Sequence, residues 1–351
     1  MQKLKTIPLR RGLFGALKIA AIVSLSPSAN AQDIANFYQG KTVSLIVSSA
    51  PGGGYDATAR LAARHLGRHI PGNPTIAVQN MPGAGGIRAA NHIYNIAAKD
   101  GSVISLMQNT VPFDPLLGNK AAAFDATRIN WLGSPNVEIA LLMVWHSSGV
   151  KTLEDLRRKE ITAGVAGIAS NQAQLTRLLI KVADLKLKLV QGYPGANETL
   201  LAMERGEVDS FTIYFNSMMA SRPTWHKEGK TVLLAQWGPH KEPAMADVPY
   251  LPDVVKDPEK AALLKIASAS LYLGRPFIMG PDVPKDRVEA MRDALMKAFK
   301  DPAFVEDATK IGFTDLAPQT GAQLEQIVRE VYAAPPALIE QMKSIASGDG
   351  M

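Results

Sequence analysis

Four short turns carry the residue types that could do chemistry in this chain. Ala50-Pro-Gly-Gly-Gly-Tyr-Asp56 and Asn80-Met-Pro-Gly-Ala-Gly-Gly86 each stand between an apolar run and an amphipathic one, and Ala166-Gly-Ile-Ala-Ser-Asn171 and Gly192-Tyr-Pro-Gly-Ala-Asn197 occupy equivalent places further on. Backbone N–H groups at a helix N-terminus point outward with partial positive charge, which suits a carboxylate or a phosphate. Neither glycine-rich turn is a nucleotide motif. The first lacks the Gly-Lys-Ser/Thr ending of a P-loop, and in the second the third glycine of a dinucleotide fingerprint falls on Arg88. None of the four contains an arginine, so an acid would be held by N–H groups, hydroxyls, amides and ordered water. Asp56 reads as the N-cap of the helix it precedes, with a direct contact to a ligand amino group as the alternative.

Enzyme chemistry finds little support. There is no Gly-x-Ser-x-Gly elbow, and no spacing singles out a Ser-His-Asp set. Cysteine is absent, which excludes thiolate nucleophiles, cysteine-held metals and disulfides. His65 and His69 share a helix face but lack the glutamate of His-Glu-x-x-His, so they read as a solvated face; no metal and no cofactor is expected.

The elements that must position these turns follow from periodicity. Strands are expected at Thr42–Ser48, Thr75–Gln79 and Val103–Met107, alternating with helices at Ala57–Ile70 and Ile87–Ala97. From Ile161 the scheme repeats: strand, turn, helix, strand, turn, helix, then strands Val208–Tyr214 and Thr231–Gln236. That order predicts an α/β fold of two lobes, each lobe a mostly parallel sheet flanked by helices. The first lobe is read as discontinuous, 32–138 and 240–351, and the second as 139–239. Ligands of open α/β sheets bind outside the C-terminal strand ends, where all four turns lie.

The first 31 residues hold Lys3, Lys5, Arg10, Arg11 and Lys18, no acid, an apolar stretch from Gly12 to Leu25, and then Ala29-Asn-Ala31. This reads as a secretory signal peptide cleaved after Ala31, so the protein is expected to be exported across the inner membrane. Its removal takes five positive charges from a formal +6 in 351 residues, so no basic surface argues for nucleic acid.

The motifs resemble those of the Bug-type periplasmic solute receptors of tripartite tricarboxylate transporters. Phe37-Tyr-Gln-Gly-Lys41, the first two glycine turns, Ala98-Lys-Asp-Gly101, Gly192-Tyr-Pro-Gly195, Leu201-Ala-Met-Glu-Arg-Gly-Glu-Val-Asp209 and Pro281-Asp-Val-Pro284 run in family order over about residues 33–330. The resemblance implies ligand contacts at Gly53, Gly54, Tyr55 and Gly85 in the first lobe. In the second it implies Ala169, Ser170, Asn171, Tyr193 and Gly195, although the turn at Ala166 is poorer in Gly and Ser than in many members. Gln108 and Asn109 follow the third strand and are added by position, and Tyr214 as a wall for the apolar middle of a ligand. The resemblance implies a two-lobed periplasmic binding protein fold, type II-like, with the ligand cleft between the lobes, and a non-enzymatic, monomeric receptor that closes on a small organic acid (a dicarboxylate, tricarboxylate or aromatic acid) and delivers it to a membrane permease. The alternative is a periplasmic adaptor that senses the same ligand for a signalling partner.

Overall fold

Two hydrogen-bonded sheets organise the chain. The computed structural model describes residues 29–348 apart from 168–169 and 314–315, so the expected leader lies outside the described residues save for the backbone of 29–31. α1 (Ala29–Tyr38) leads into β1 (Thr42–Val47), in which Val43, Leu45 and Val47 are fully buried. α2 (Gly54–Leu66), β2 (Thr75–Asn80), α3 (Ile87–Asn95) and β3 (Val103–Leu106) follow. Both returns are parallel: Leu45 stands opposite Val78 on one side and Ile104 on the other. β4 (Asn130–Ser134) ends this stretch.

The chain then crosses into a second sheet. β5 (Ala140–Trp145), α4 (Leu153–Arg158), β6 (Ile161–Gly164), α5 (Asn171–Ala183), β7 (Leu187–Val190), α6 (Ala196–Glu204), β8 (Ser210–Tyr214), α7 (Phe215–Ser221) and β9 (Thr231–Trp237) build it. The return runs through α8 (Leu251–Val254), α9 (Pro258–Ala267) and α10 (Ala269–Leu273) to β10 (Phe277–Met279). α11 (Lys285–Lys300), α12 (Pro302–Lys310), β11 (Gln319–Thr320), α13 (Gly321–Tyr332) and α14 (Pro336–Ser347) complete the chain. Helix starts follow local chemistry: Thr152 with Asp155 and Thr320 with Gln323 form capping boxes at α4 and α13, and Asp257 and Asp301 cap α9 and α12 ahead of a proline.

The strand orders are β11-β4-β10-β3-β1-β2 and β7-β6-β8-β5-β9. Both sheets are mixed, where a mostly parallel pairing is expected from the sequence. The returning chain delivers β10 antiparallel to β3 and β4, and the crossing segment delivers β5 antiparallel to β8 and β9. The apolar run from Asn130 to Val144 is thus two strands in different sheets. Two helices of the return lie against the second sheet's α5. Lys260 of α9 pairs with Asp184 at 2.6 Å, and Arg177 of α5 donates to the Ala346 carbonyl of α14 at 2.7 Å.

The crossing is pinned by a buried ion pair. Glu138, between β4 and β5, accepts from Arg275 Nε, just ahead of β10; both residues are fully buried. The same guanidinium donates to the Gly54 carbonyl and Thr58 Oγ1 in α2, and at 3.1 Å to Ser217 Oγ in α7. The rings of Phe313 and Tyr55 lie 4.6 and 5.4 Å from its centre. One cation therefore joins the crossing segment, the returning strand and a helix from each lobe.

A buried charge left without its partner is costly, whereas a well-packed apolar replacement of the pair is not. Arg275→Met is expected to lower unfolding free energy by about 3–5 kcal/mol in urea denaturation, and adding Glu138→Leu to recover part of that loss. A double variant less stable than Arg275→Met would show that Glu138 is not the group left exposed to the penalty.

Candidate functional site

The C-terminal strand ends of the two sheets face each other across a cavity of about 640 Å³, within the range of small-molecule sites. All four turns reach it. The first begins α2, with Gly53 as N-cap. Gly54 can only be glycine, because a Cβ there would stand 2.1 Å from Ser217 Oγ. Gly52 adopts φ +83°, and its carbonyl accepts from Asn197 Nδ2 at 2.9 Å, so the first turn of one lobe touches the start of α6 in the other. The second turn holds four successive left-handed residues, Gly83, Ala84, Gly85 and Gly86, the backbone state that the glycine run makes accessible. This backbone brings the chain into the N-terminus of α3 at the cavity wall.

Of the residues expected to bind, Gly53, Gly54, Tyr55, Gly85, Gln108, Ser170, Asn171, Tyr193, Gly195 and Tyr214 line the cavity. Ala169 lies outside the described residues. Asp56 and Asn109 do not line it, and their places explain why. Asp56 is not the N-cap of α2 but its third residue, because the chain enters the helix at Gly54. Its carboxylate turns back to accept from Gly52 N at 2.9 Å, Arg60 Nε at 2.9 Å and Asn80 Nδ2 at 3.0 Å. Burial alone would raise this carboxyl, but those hydrogen bonds together hold it below the ordinary carboxylate range.

Asn109 is fully buried behind the floor. Its N–H donates to Tyr55 Oη at 3.1 Å, and its Oδ1 accepts from Tyr214 Oη at 2.7 Å. Tyr214 Oη in turn accepts from Asn171 Nδ2 at 3.1 Å. The chain Asn171–Tyr214–Asn109–Tyr55 thus runs from the second lobe to the first beneath the cavity. Burial raises both phenols well above their ordinary value, so they stay neutral. Ser170 caps α5, its Oγ donating to Gly167 O at 2.7 Å. Gln108 is held by Nε2 donating to Ser48 O at 3.0 Å.

Sequence reading missed Ser48, Asn119, Ala121, Thr212 and Ser217, which also line the cavity. No motif marks Asn119 and Ala121. They lie on a strap after β3 that two amides of α3 clamp down: Asn91 Nδ2 donates to Ala121 O at 2.8 Å and Asn95 Nδ2 to Ala123 O at 2.8 Å. His65 and His69 are not a solvated face. His65 is buried and pairs with Asp307 at 3.0 Å, and His69 pairs with Asp301 at 2.8 Å, both aspartates coming from the α12 region. Among the described residues, every side chain lining the cavity is uncharged.

A buried acid supports the strap from behind. Asp114 Oδ1 accepts from Asn119 Nδ2 at 3.4 Å, while Oδ2 has no partner. Burial pushes this carboxyl up to about 7, against the opposing Asn119 hydrogen bond. An acid with a raised folded pKa favours the fold while protonated. That contribution is present below its unfolded pKa and is lost as pH rises through about 7. Asp114→Asn keeps an acceptor for Asn119 and is expected to melt with the wild type near pH 4 but several degrees above it near pH 8. Equal melting near pH 8 would show that Asp114 ionises there without cost.

Comparison with known proteins agrees with this geometry. The profile of the tripartite tricarboxylate transporter family receptor matches residues 58–343. Among solved structures, the periplasmic binding protein BugD is 18% identical with a TM-score of 0.71, over 88% of this chain and 98% of its own. MatC from Rhodopseudomonas palustris with bound malate is 19% identical with a TM-score of 0.68, over 87% and 99%. A further R. palustris protein, with adipate, is 18% identical with a TM-score of 0.69, over 88% and 97%. No curated protein sequence matches.

Proposed function

The chain belongs to the tripartite tricarboxylate transporter receptor family, and on that premise we propose that its cleft captures a small organic acid, without turnover, and delivers it to a membrane permease. The observation that carries this reading is the cavity itself. Two lobes present helix N-termini, glycine turns, three tyrosines and amides around a space that, among the described residues, has no charged wall. An acid there is desolvated only where N–H and O–H donors replace its water, and the absence of a fixed counter-charge keeps release accessible. MatC with malate and the R. palustris protein with adipate point to aliphatic dicarboxylates as the first class to try.

In this reading the cavity-lining residues Gly53, Gly54, Tyr55, Gly85, Gln108, Ser170, Asn171, Tyr193, Gly195 and Tyr214 contact the acid. Asp56 and Asn109 support them from behind. Sheet membership supports a first lobe of 32–138 and 240–351 and a second of 139–239, with α9 and α14 reaching across. The protein works in the periplasm as a monomer, after cleavage at Ala31.

A thermal-shift and calorimetric screen of the purified protein against malate, adipate, citrate, benzoate, aspartate and glutamate tests the reading. At least one dicarboxylate is expected to raise the melting midpoint and to be recovered unchanged, with ligand-free protein confirmed by native mass spectrometry. Ligand-free protein indifferent to every acid would overturn the assignment, and a product of altered mass would replace the receptor with an enzyme. Tyr214→Phe, which removes the hydroxyl joining the lobes, is expected to weaken the same acid about five- to tenfold in calorimetry. Unchanged affinity would remove Tyr214 from the binding account.

A further inference from the structure

Among the described residues the cavity walls are neutral, but some of their neighbours along the chain are not. Three charged residues directly flank the lining segments in sequence: Asp56, Arg88 and Lys120. Asp56 is turned away into its own network with Gly52, Arg60 and Asn80. The other two remain, both cationic, both exposed, and both on the first-lobe side.

Arg88 stands in the first turn of α3, next to the lining residue Ile87. It folds back along the rim: its Cδ would lie 3.3 Å from a Cβ placed on Gly83, and its Nη1 approaches the Pro82 carbonyl at 3.5 Å. Pro82 and Gly83 both line the cavity. Lys120 lies on the strap between Asn119 and Ala121, which also line it.

The two cations stand on segments that are hydrogen-bonded to each other. Asn91, one turn along the same face of α3 from Arg88, donates to Ala121 O and accepts from Ala123 N at 2.8 Å. The strap's backbone is therefore fixed one helical turn from Arg88. Its acids are engaged elsewhere: Asp114 is buried against Asn119, and Asp125 accepts from Thr127. Among the described residues neither Arg88 nor Lys120 forms an ion pair, although the chain supplies partners to Arg60, Arg64 and Arg68 nearby.

We infer that Arg88 and Lys120 form a cationic rim that receives a second carboxylate at the mouth, and so select acids with two or more carboxylates over monocarboxylates of the same length. This rests on the receptor reading above. The first carboxylate sits among the neutral donors inside, and the apolar middle passes Tyr214 and Leu175. The second, too costly to strip fully of water, stops at the solvent edge, where a flexible ammonium and an anchored guanidinium meet it. Such a rim also raises the encounter rate with dianions in a salt-dependent way.

The test compares adipate with hexanoate, equal in chain length, on the wild type and on Arg88→Gln/Lys120→Gln. The double variant is expected to bind adipate roughly tenfold more weakly, to keep hexanoate within about twofold, and to lose most of the salt dependence of adipate association. Equal losses for both acids, or adipate binding within about twofold of wild type, would overturn the rim while leaving the receptor reading intact. A wild type that binds adipate no better than hexanoate would also overturn it. A wild type that binds no acid at all would overturn the receptor reading and the rim with it. Circular dichroism and melting of the double variant, expected to match the wild type, separate a rim effect from misfolding.

Discussion

A single buried guanidinium holds this architecture at its most demanding point. A sheet that takes strands from both sides of the other in sequence requires two chain crossings, and at such a crossing helices and strands from distant parts of the sequence must meet with their backbone groups satisfied. Arg275 does this by distributing its donors: Glu138 on the crossing segment, the Gly54 carbonyl and Thr58 of α2, and Ser217 of α7. Neither charge would tolerate full burial alone; together, with ring faces on either side, they are compensated. The pair also fixes the first ligand-facing turn. Gly54 leaves no room for a Cβ beside Ser217 and Arg275, so the N-terminus of α2 packs closely against α7 of the second lobe.

The consequence for electrostatics is a separation of charge from the cavity. The guanidinium lies behind the wall, Asp56 is consumed by Gly52, Arg60 and Asn80, and the floor is a hydrogen-bonded run of neutral phenols and amides. What faces the space is dipolar: N–H groups at helix starts, hydroxyls and carboxamides. Full charges would bind an acid more tightly and discriminate less by shape. Dipoles of fixed geometry hold an acid where it fits and leave no ion pair to break on release.

Much of this was legible in the residues. Each glycine turn announces itself because its backbone state is closed to most side chains, as the four left-handed residues from Gly83 to Gly86 illustrate. The alternation of strand and helix gave two α/β lobes because each half repeats one local pattern. What failed was non-local or a matter of one turn of helix. Glu138 and Arg275 are 137 residues apart with no motif at either end. His65 and His69 look solvated until α12 supplies Asp307 and Asp301 from more than 230 positions away. Asp56 reads as an N-cap in the sequence but stands three positions past it, because an acid is favourable both at the N-cap and in the first turn, and only the path through Gly52 and Gly53 decides between them. The mixed pairing of the sheets likewise depends on where the chain crosses and returns, which no local pattern records.

We propose that the two lobes move as bodies about this crossing and shut on the acid. The described form already has them in contact, through Asn197 to Gly52 and Tyr214 to Asn109. Small-angle X-ray scattering of the purified protein, freed of ligand and then saturated with adipate or malate, tests this most directly. The account expects the radius of gyration to fall on addition of the acid, as an open population shifts to the closed one. A radius that stays constant while calorimetry shows the acid bound would contradict it.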